Sequence, residues 1–275
     1  MANHFPRWTN FIPLKIAICL GVLGGTVLLA VPYFFTPKYT RVGYEPSQPV
    51  PFSHKWHAGE LGLDCRYCHS NVDSSSHSNI PTNETCFNCH GPGKGGIKVD
   101  SPKLAPVRES GETGKPIEWV RVHSAPDYVY FDHSVHVNRG VSCVSCHGKV
   151  NEMEVVSQVE SHSMGWCLDC HRNPEEHIRP TDAVYNLDWT PDSLDRSTFY
   201  KGLLDEGAEP STLLASIQGK DDPVDLPEGV EDTLSYLVEK AGKEFGETME
   251  QEEVGSALAR HWQVSPPESC AGCHR

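Results

Sequence analysis

Phe52-Ser53-His54-Lys55-Trp56-His57, followed by Cys65-Arg66-Tyr67-Cys68-His69 and Cys86-Phe87-Asn88-Cys89-His90, is the run on which the reading of this chain turns. It returns in the same order as Phe131-Asp132-His133-Ser134-Val135-His136, Cys143-Val144-Ser145-Cys146-His147 and Cys167-Leu168-Asp169-Cys170-His171. The offset is 79 residues at the histidines and 78 and 81 at the cysteines, and Gly62 and Gly140 each precede their first cysteine by three. A fifth copy, Cys270-Ala271-Gly272-Cys273-His274, stands alone near the C-terminus.

Cys-x-x-Cys-His suits one chemistry well. Two thiols add to the vinyl groups of a haem, and the adjoining imidazole reaches the iron. Zinc is the competitor, since paired Cys-x-x-Cys units and histidines make tetrahedral sites. Zinc does not require a histidine directly after the second cysteine, yet all five copies have one, and together they use ten of the eleven cysteines. The sequence therefore predicts five covalently bound haem c groups. Their thioethers fall on Cys65 and Cys68, Cys86 and Cys89, Cys143 and Cys146, Cys167 and Cys170, and Cys270 and Cys273. The proximal iron ligands are His69, His90, His147, His171 and His274.

An iron that only passes electrons wants a second strong axial ligand. His54, His57, His133 and His136 are the best candidates, because histidines three apart on a helical turn reach neighbouring targets. His123, in Trp119-Val120-Arg121-Val122-His123, is the choice for the fifth distal ligand, with Met164 as its rival. His77, His162, His177 and His261 read as surface or propionate-bonding groups, and His4 precedes the membrane span. Arg66, Arg172 and Arg275 adjoin the motifs and are candidates to pair with propionates on position alone. No catalytic residue is expected.

The run from Ile16 to Phe35 has no charge, and Ile12 to Leu14 extends it past Lys15. Twenty residues at about 1.5 Å each match the roughly 30 Å hydrocarbon core of a bilayer. A cleaved signal peptide is the alternative, but Leu28-Leu29-Ala30 lacks the small residue of an A-x-A site. Trp8 and Tyr33 suit the two interfaces, and Cys19 within the run reads as a small apolar contact. Arg7 and Lys15 ahead of the span balance Lys38 and Arg41 behind it. Orientation therefore follows from the motifs, because covalent haem attachment takes place outside the bacterial cytoplasm. The expectation is a single-pass protein of the bacterial cytoplasmic (inner) membrane with its soluble part in the periplasm.

The expected divisions are a cytoplasmic N-terminus over 1–11, an anchor over 12–35 and a linker over 36–51 stiffened by Pro37, Pro46, Pro49 and Pro51. A four-haem core of two di-haem modules spans 52–180, and an acidic, partly helical segment over 181–275 ends in the fifth motif. The short linker predicts a first module held near the membrane. The fold class is mainly α and irregular, a haem-dominated cytochrome c domain with little strand plus one N-terminal transmembrane helix. Of the net charge of −14, the stretch Asp192 to Glu253 carries most, with 17 acidic and 5 basic residues. That balance excludes a nucleic-acid partner and predicts a solvated, loosely folded surface, with docking of a basic partner as the alternative. Within it Val230, Leu234, Leu237, Val238, Ala241 and Phe245 recur at helical spacing, and a second helix is expected from about Glu252 to Trp262.

At several of these points the chain resembles the pentahaem cytochrome subunit of bacterial alternative complex III. The resemblance runs through the N-terminal span, Pro51 to His54, Asp64 to His69 and Trp119 to His123. It continues through Pro126-Asp127-Tyr128-Val129-Tyr130-Phe131-Asp132-His133, Met164-Gly165-Trp166-Cys167 and Cys270 to Arg275. It implies a membrane complex that oxidises quinol and feeds a periplasmic cytochrome or a haem-copper oxidase. The implied partners are an iron–sulfur protein, multi-span quinone-binding subunits and a mono-haem cytochrome. The doubled histidine pattern is shared with small tetrahaem cytochromes, which implies His54 for the Cys65/Cys68 haem and His133 for the Cys143/Cys146 haem. Two other functions compete: a subunit of a periplasmic cytochrome:quinone reductase, with electrons flowing the other way, and a multihaem reductase enzyme, which needs an iron with an open distal site.

Overall fold

The computed structural model describes residues 6–35 and 41–274. The expectations for His4, Pro37, Lys38 and Arg275 fall outside them. Helix α1 (Ile12–Phe35) is exposed at nearly every position from Ile12 to Phe34, and it is the one described helix long and apolar enough to cross a membrane. No strand occurs among the described residues, only the isolated bridges Val129–His274 and Val141–Ile178. The fold is mostly helical and irregular, as the sequence predicts.

Each attachment motif folds as one short helix: α2 (Cys65–Cys68), α3 (Asn83–His90), α6 (Cys143–His147), α7 (Met164–Arg172) and α12 (Cys270–Cys273). The residue before each helix, Asp64, Thr82, Ser142, Ser163 or Ser269, is extended, and the Asp64 and Ser163 side chains accept hydrogen bonds from the freed N–H groups, a capping that polar residues of this kind supply. One turn then sets cysteines i and i+3 on one face with the histidine next in line. Helix α4 (Ala105–Thr113) follows the second motif, and α5 (His133–Val137) carries the second histidine pair behind its Asp132 cap. A single π-helical turn, Lys55–Glu60, follows His54 and carries His57.

Around these motifs little apolar side chain is buried. Val72, Val137 and Val184 form one small cluster, while Trp56, Ile80, Tyr128, Phe131 and Val135 are exposed. Large apolar groups left open beside cysteine motifs suit a chain whose interior is built around bound cofactor.

The acidic segment differs from the loosely folded surface expected of it. Helices α8 (Arg196–Asp205), α9 (Pro210–Ile217), α10 (Thr233–Phe245) and α11 (Gln251–His261) pack into the largest apolar core among the described residues. Tyr200, Leu213, Leu214, Ile217, Leu237, Val254 and Ala257 are at most 1% exposed. The last two helices fall where the periodicity puts them; the first two were not foreseen. Acidic residues instead serve the helix ends and one internal clamp. Asp195 and Asp232 cap α8 and α10, and Glu253, 1% exposed, takes two hydrogen bonds of 2.8 Å from Arg196 and one of 3.2 Å from Tyr200. The charge therefore decorates a folded unit. Helix α11 lies so close to residues 174–178 that a side-chain carbon at Gly255 would collide with the Glu175 carbonyl. Gln251 donates to the carbonyls of Glu175 and Ile178 at 3.1 and 2.6 Å.

The linker is docked rather than free. Gly43 and Tyr44 pair through the backbone with Gln158, and Gln48 closes a reciprocal pair with Val120. The chain leaving the span thus rests on Val120, between the second and third motifs, and on Gln158, between the third and fourth.

Candidate haem-binding site

The structure brings eight of the sequence-predicted histidines into four facing pairs. His54 faces His69 with ring centres 6.5 Å apart, and His57 faces His90 at 6.3 Å. In the repeat, His133 faces His147 at 6.4 Å and His136 faces His171 at 6.2 Å. The first pair of each module is parallel, at 2° and 6°, and the second is tilted, at 65° and 36°. The repeat read in the sequence is thus a repeat of geometry. A metal between two imidazoles needs about 2 Å to each nitrogen, and each nitrogen sits roughly 1 Å from its ring centre, so rings about 6 Å apart bracket one iron.

The ring nitrogens are arranged to match. Six of these eight imidazoles donate Nδ1–H to a backbone carbonyl: His57 to Ser53, His69 to Asn79, His90 to Ile97, His133 to Ser76, His136 to Asp132 and His171 to Pro267, all at 2.7–2.8 Å. This fixes the tautomer and leaves each Nε2 lone pair for a metal, the arrangement usual behind ligating histidines. Nδ1 of His54 and of His274 is buried without a hydrogen-bond partner. Burial, reinforced by neighbouring imidazoles, pushes His54 down to about 4 and His147 to about 3, and burial also lowers His136. These rings are held neutral, as metal ligation requires. The residues present fit the group on donor type, spacing and protonation.

Packing inside the site also orders the cysteines. Burial raises the thiols of Cys68, Cys86, Cys146, Cys167 and Cys170, and at Cys143 the neighbouring Cys65 sulfur raises the thiol first and burial second. A free thiol there is a poor nucleophile toward external reagents.

The fifth site is arranged differently. His274 bridges to Val129 through the backbone, Tyr130 N–H donates to the Cys273 carbonyl, and the Tyr128 ring lies 5.8 Å from the His274 ring. The structure places His123 elsewhere. Its ring stands edge-on to His147 at 4.4 Å and 5.6 Å from His162, with Nε2 buried and unpartnered. Met164, at the start of α7, is 66% exposed. His162 contacts the Cys146 carbonyl at 3.1 Å, His261 pairs with Glu206 and His77 is exposed beside Ser76. Arg66 is committed to Asp64 and stacks on Tyr185, and Arg172 pairs with Glu268. The sequence reading missed Tyr128 and the carbonyl acceptors, because a backbone oxygen leaves no signature in residue type.

Short Cys-x-x-Cys-His helices, each in the first four cases with a second imidazole facing its histidine, define a multihaem c-type cytochrome domain. Residues 129–186, spanning α5 to α7, match the family described as cytochrome c7 and related cytochrome c. Over 159 residues the chain is 33% identical to the "Menaquinone reductase, multiheme cytochrome c subunit" of Nitratidesulfovibrio vulgaris (strain Hildenborough), a match covering half of this chain and 74% of that protein. The chain belongs to this family of multihaem cytochrome c subunits, whose members carry covalent haem c.

Proposed function

We propose that this chain binds five haem c groups and serves as the electron-transfer subunit of a membrane complex that exchanges electrons with a quinone pool. The observation that carries the reading is the set of four imidazole pairs at 6.2–6.5 Å, which gives each of those irons two strong ligands and no open position for a substrate. Haem c supplies reversible one-electron chemistry in such a site. What the protein contributes is position and electronics. The Cys-x-x-Cys turns would hold each macrocycle through its thioethers, and the carbonyl-locked histidines orient their Nε2 atoms toward the iron it would carry.

In this reading His69, His90, His147, His171 and His274 are proximal ligands and His54, His57, His133 and His136 distal ones. His123, with Met164 as its rival, is the remaining candidate for a distal ligand, and its ring stands 4.4 Å from that of His147. Residues 12–35 are an uncleaved anchor, and the remainder folds on the periplasmic side over the 52–180 core and the 181–275 segment. The resemblance at the motifs favours an assembly of the alternative complex III kind, in which this subunit relays quinol electrons toward a periplasmic cytochrome or a haem-copper oxidase. Its neighbours there are an iron–sulfur protein, multi-span quinone-binding subunits and a mono-haem cytochrome. The name of the menaquinone reductase relative favours a second reading, a cytochrome:quinone reductase, with the same ligands and opposite flow.

Reduction of the isolated complex by a quinol analogue tests the proposal. Rapid reduction of the cytochrome in the complex supports it, and no reduction overturns the quinone link. Re-oxidation by added quinone in preference to a periplasmic acceptor selects the reductase direction.

A further inference from the structure

We propose that the chain sets its five attachment motifs in single file in the spatial order second, first, third, fourth, fifth, so that Cys86–His90 and Cys270–His274 are the two ends of the array. This order rests on the five-haem reading above, and it differs from the order along the sequence.

Each junction is carried by named contacts. The second and first motifs meet where Asn88, inside one, donates to the Tyr67 hydroxyl, inside the other, at 3.0 Å. They also share one histidine turn, His54 facing His69 and His57 facing His90. The first motif then meets the third. The Cys65 and Cys143 thiols, standing where the thioether sulfurs would be, are close enough to perturb one another. The loop behind the first motif also holds the histidine turn of the second module, with His133 Nδ1 on the Ser76 carbonyl and the Ser134 N–H on Ser75. Third and fourth motifs share the turn His133 to His136, and His162 bridges them by touching the Cys146 carbonyl and the Trp166 ring. The fourth motif is tied to the fifth because His171 donates to the Pro267 carbonyl at 2.8 Å and Arg172 pairs with Glu268 at 3.1 Å, both just ahead of Cys270.

Exposure agrees with the assignment of the ends. Among the ten motif cysteines, Cys89 and Cys270 are exposed, one in each terminal motif, and the rest are partly covered. Electrons therefore enter and leave through the second and fifth motifs if they use the ends, and an interruption at the third divides the file into two pairs.

Spin coupling reads this order without any turnover assay. In the full-length detergent-solubilised protein, His57→Ala removes the distal ligand at the second motif, and His54→Ala removes that at the first. Each converts one centre to high spin, which broadens the magnetic-resonance signals of its spatial neighbours. The proposed order predicts that His57→Ala perturbs one other centre, His54→Ala two and His136→Ala two. An array in sequence order predicts two for His57→Ala and one for His54→Ala, and that outcome overturns the proposal. If no centre becomes high-spin in either variant, the ligand pairing beneath it fails and the order falls with it, a result recognisable by the absence of any perturbed neighbour. Should His57→Ala not accumulate, His57→Met keeps the iron six-coordinate and raises its potential. The titration curve of one other centre should then shift, and a shift in two overturns the order.

Discussion

The buried clamp between α8 and α11 offers the sharpest test of how the acidic segment holds together. Arg196 makes four hydrogen bonds: Nε and Nη2 to the two oxygens of Glu253, each at 2.8 Å, Nη1 to the Gly246 carbonyl at 2.6 Å, and Nη2 to the Thr248 carbonyl at 2.8 Å. Arg196→Met leaves the Glu253 carboxylate buried with only the Tyr200 hydroxyl, and it strands two carbonyls. Removing one partner of a buried, hydrogen-bonded ion pair costs about 3–5 kcal/mol, and the stranded carbonyls keep the cost in the upper part of that range. For a unit of this size, 1 kcal/mol moves the melting point by roughly 4–8 °C, so Tm should fall by about 15 °C or more. The assay is thermal denaturation followed by far-ultraviolet circular dichroism. Replacing both partners, as Arg196→Met with Glu253→Met, removes the unpaired charge and should recover most of the loss. If the single variant melts within a few degrees of the parent, or the double variant is worse than the single, the clamp is not what holds α8 against α11.

Three further outcomes follow from the site and its scaffold. His133→Ala should turn one centre high-spin while both thioethers at Cys143 and Cys146 survive, checked by electron paramagnetic resonance and intact mass. Intact mass should also give five haems on a chain that retains residues 1–35; fewer haems, or an N-terminus after residue 30, refutes the respective half. Gly140 and Gly62 both have φ near the left-handed region, +80° and +64°, yet a side-chain carbon at Gly140 would collide with the Arg179 carbonyl whereas the one at Gly62 meets open space. Gly62→Ala should therefore cost about 1 kcal/mol, the left-handed penalty alone, and Gly140→Ala clearly more in parallel denaturation curves.

Much of the haem site was legible because its chemistry is written locally. A five-residue motif contains both thioether positions and an imidazole, and two histidines three apart necessarily present themselves on one turn. The 79-residue offset between His54 and His133 foretold that whatever His54 faced in one module, His133 would face in the other. Non-local placements escaped. His123 lies in an irregular stretch with no period, and its position against His147 follows from the docking of the linker on Val120. The acidic stretch misled for a related reason. Composition reports charge but not whether a residue caps a helix, as Asp195 and Asp232 do, or lies inside, as Glu253 does. Leu213, Leu214 and Ile217 of α9 are buried almost all round, which leaves no amphipathic stripe to read.

The same contrast explains why the fifth motif needs a folded helical unit when the first four do not. The first four are drawn together by two short histidine turns, each within one module, and by cofactors that fill the space side chains leave open. The fifth follows the fourth by almost a hundred residues, and no histidine turn precedes it. Its position is set by backbone pairing with Val129 and Tyr130 and by the core of α8 to α11: α11 is fixed to residues 174–178 by Gln251 and the Gly255 approach, and Arg139 in the second module grips the Trp262 carbonyl at 3.1 Å. From there Pro267 and Glu268 reach back to His171 and Arg172. Loss of the Arg196 clamp should thus be felt at His274 before it is felt at His69 or His90. On heating Arg196→Met, the terminal centre should be the first to change its spectrum, while the paired sites keep theirs. If all five change together, the helical unit and the paired sites form one cooperative whole, and the separate anchoring of the fifth motif is refuted.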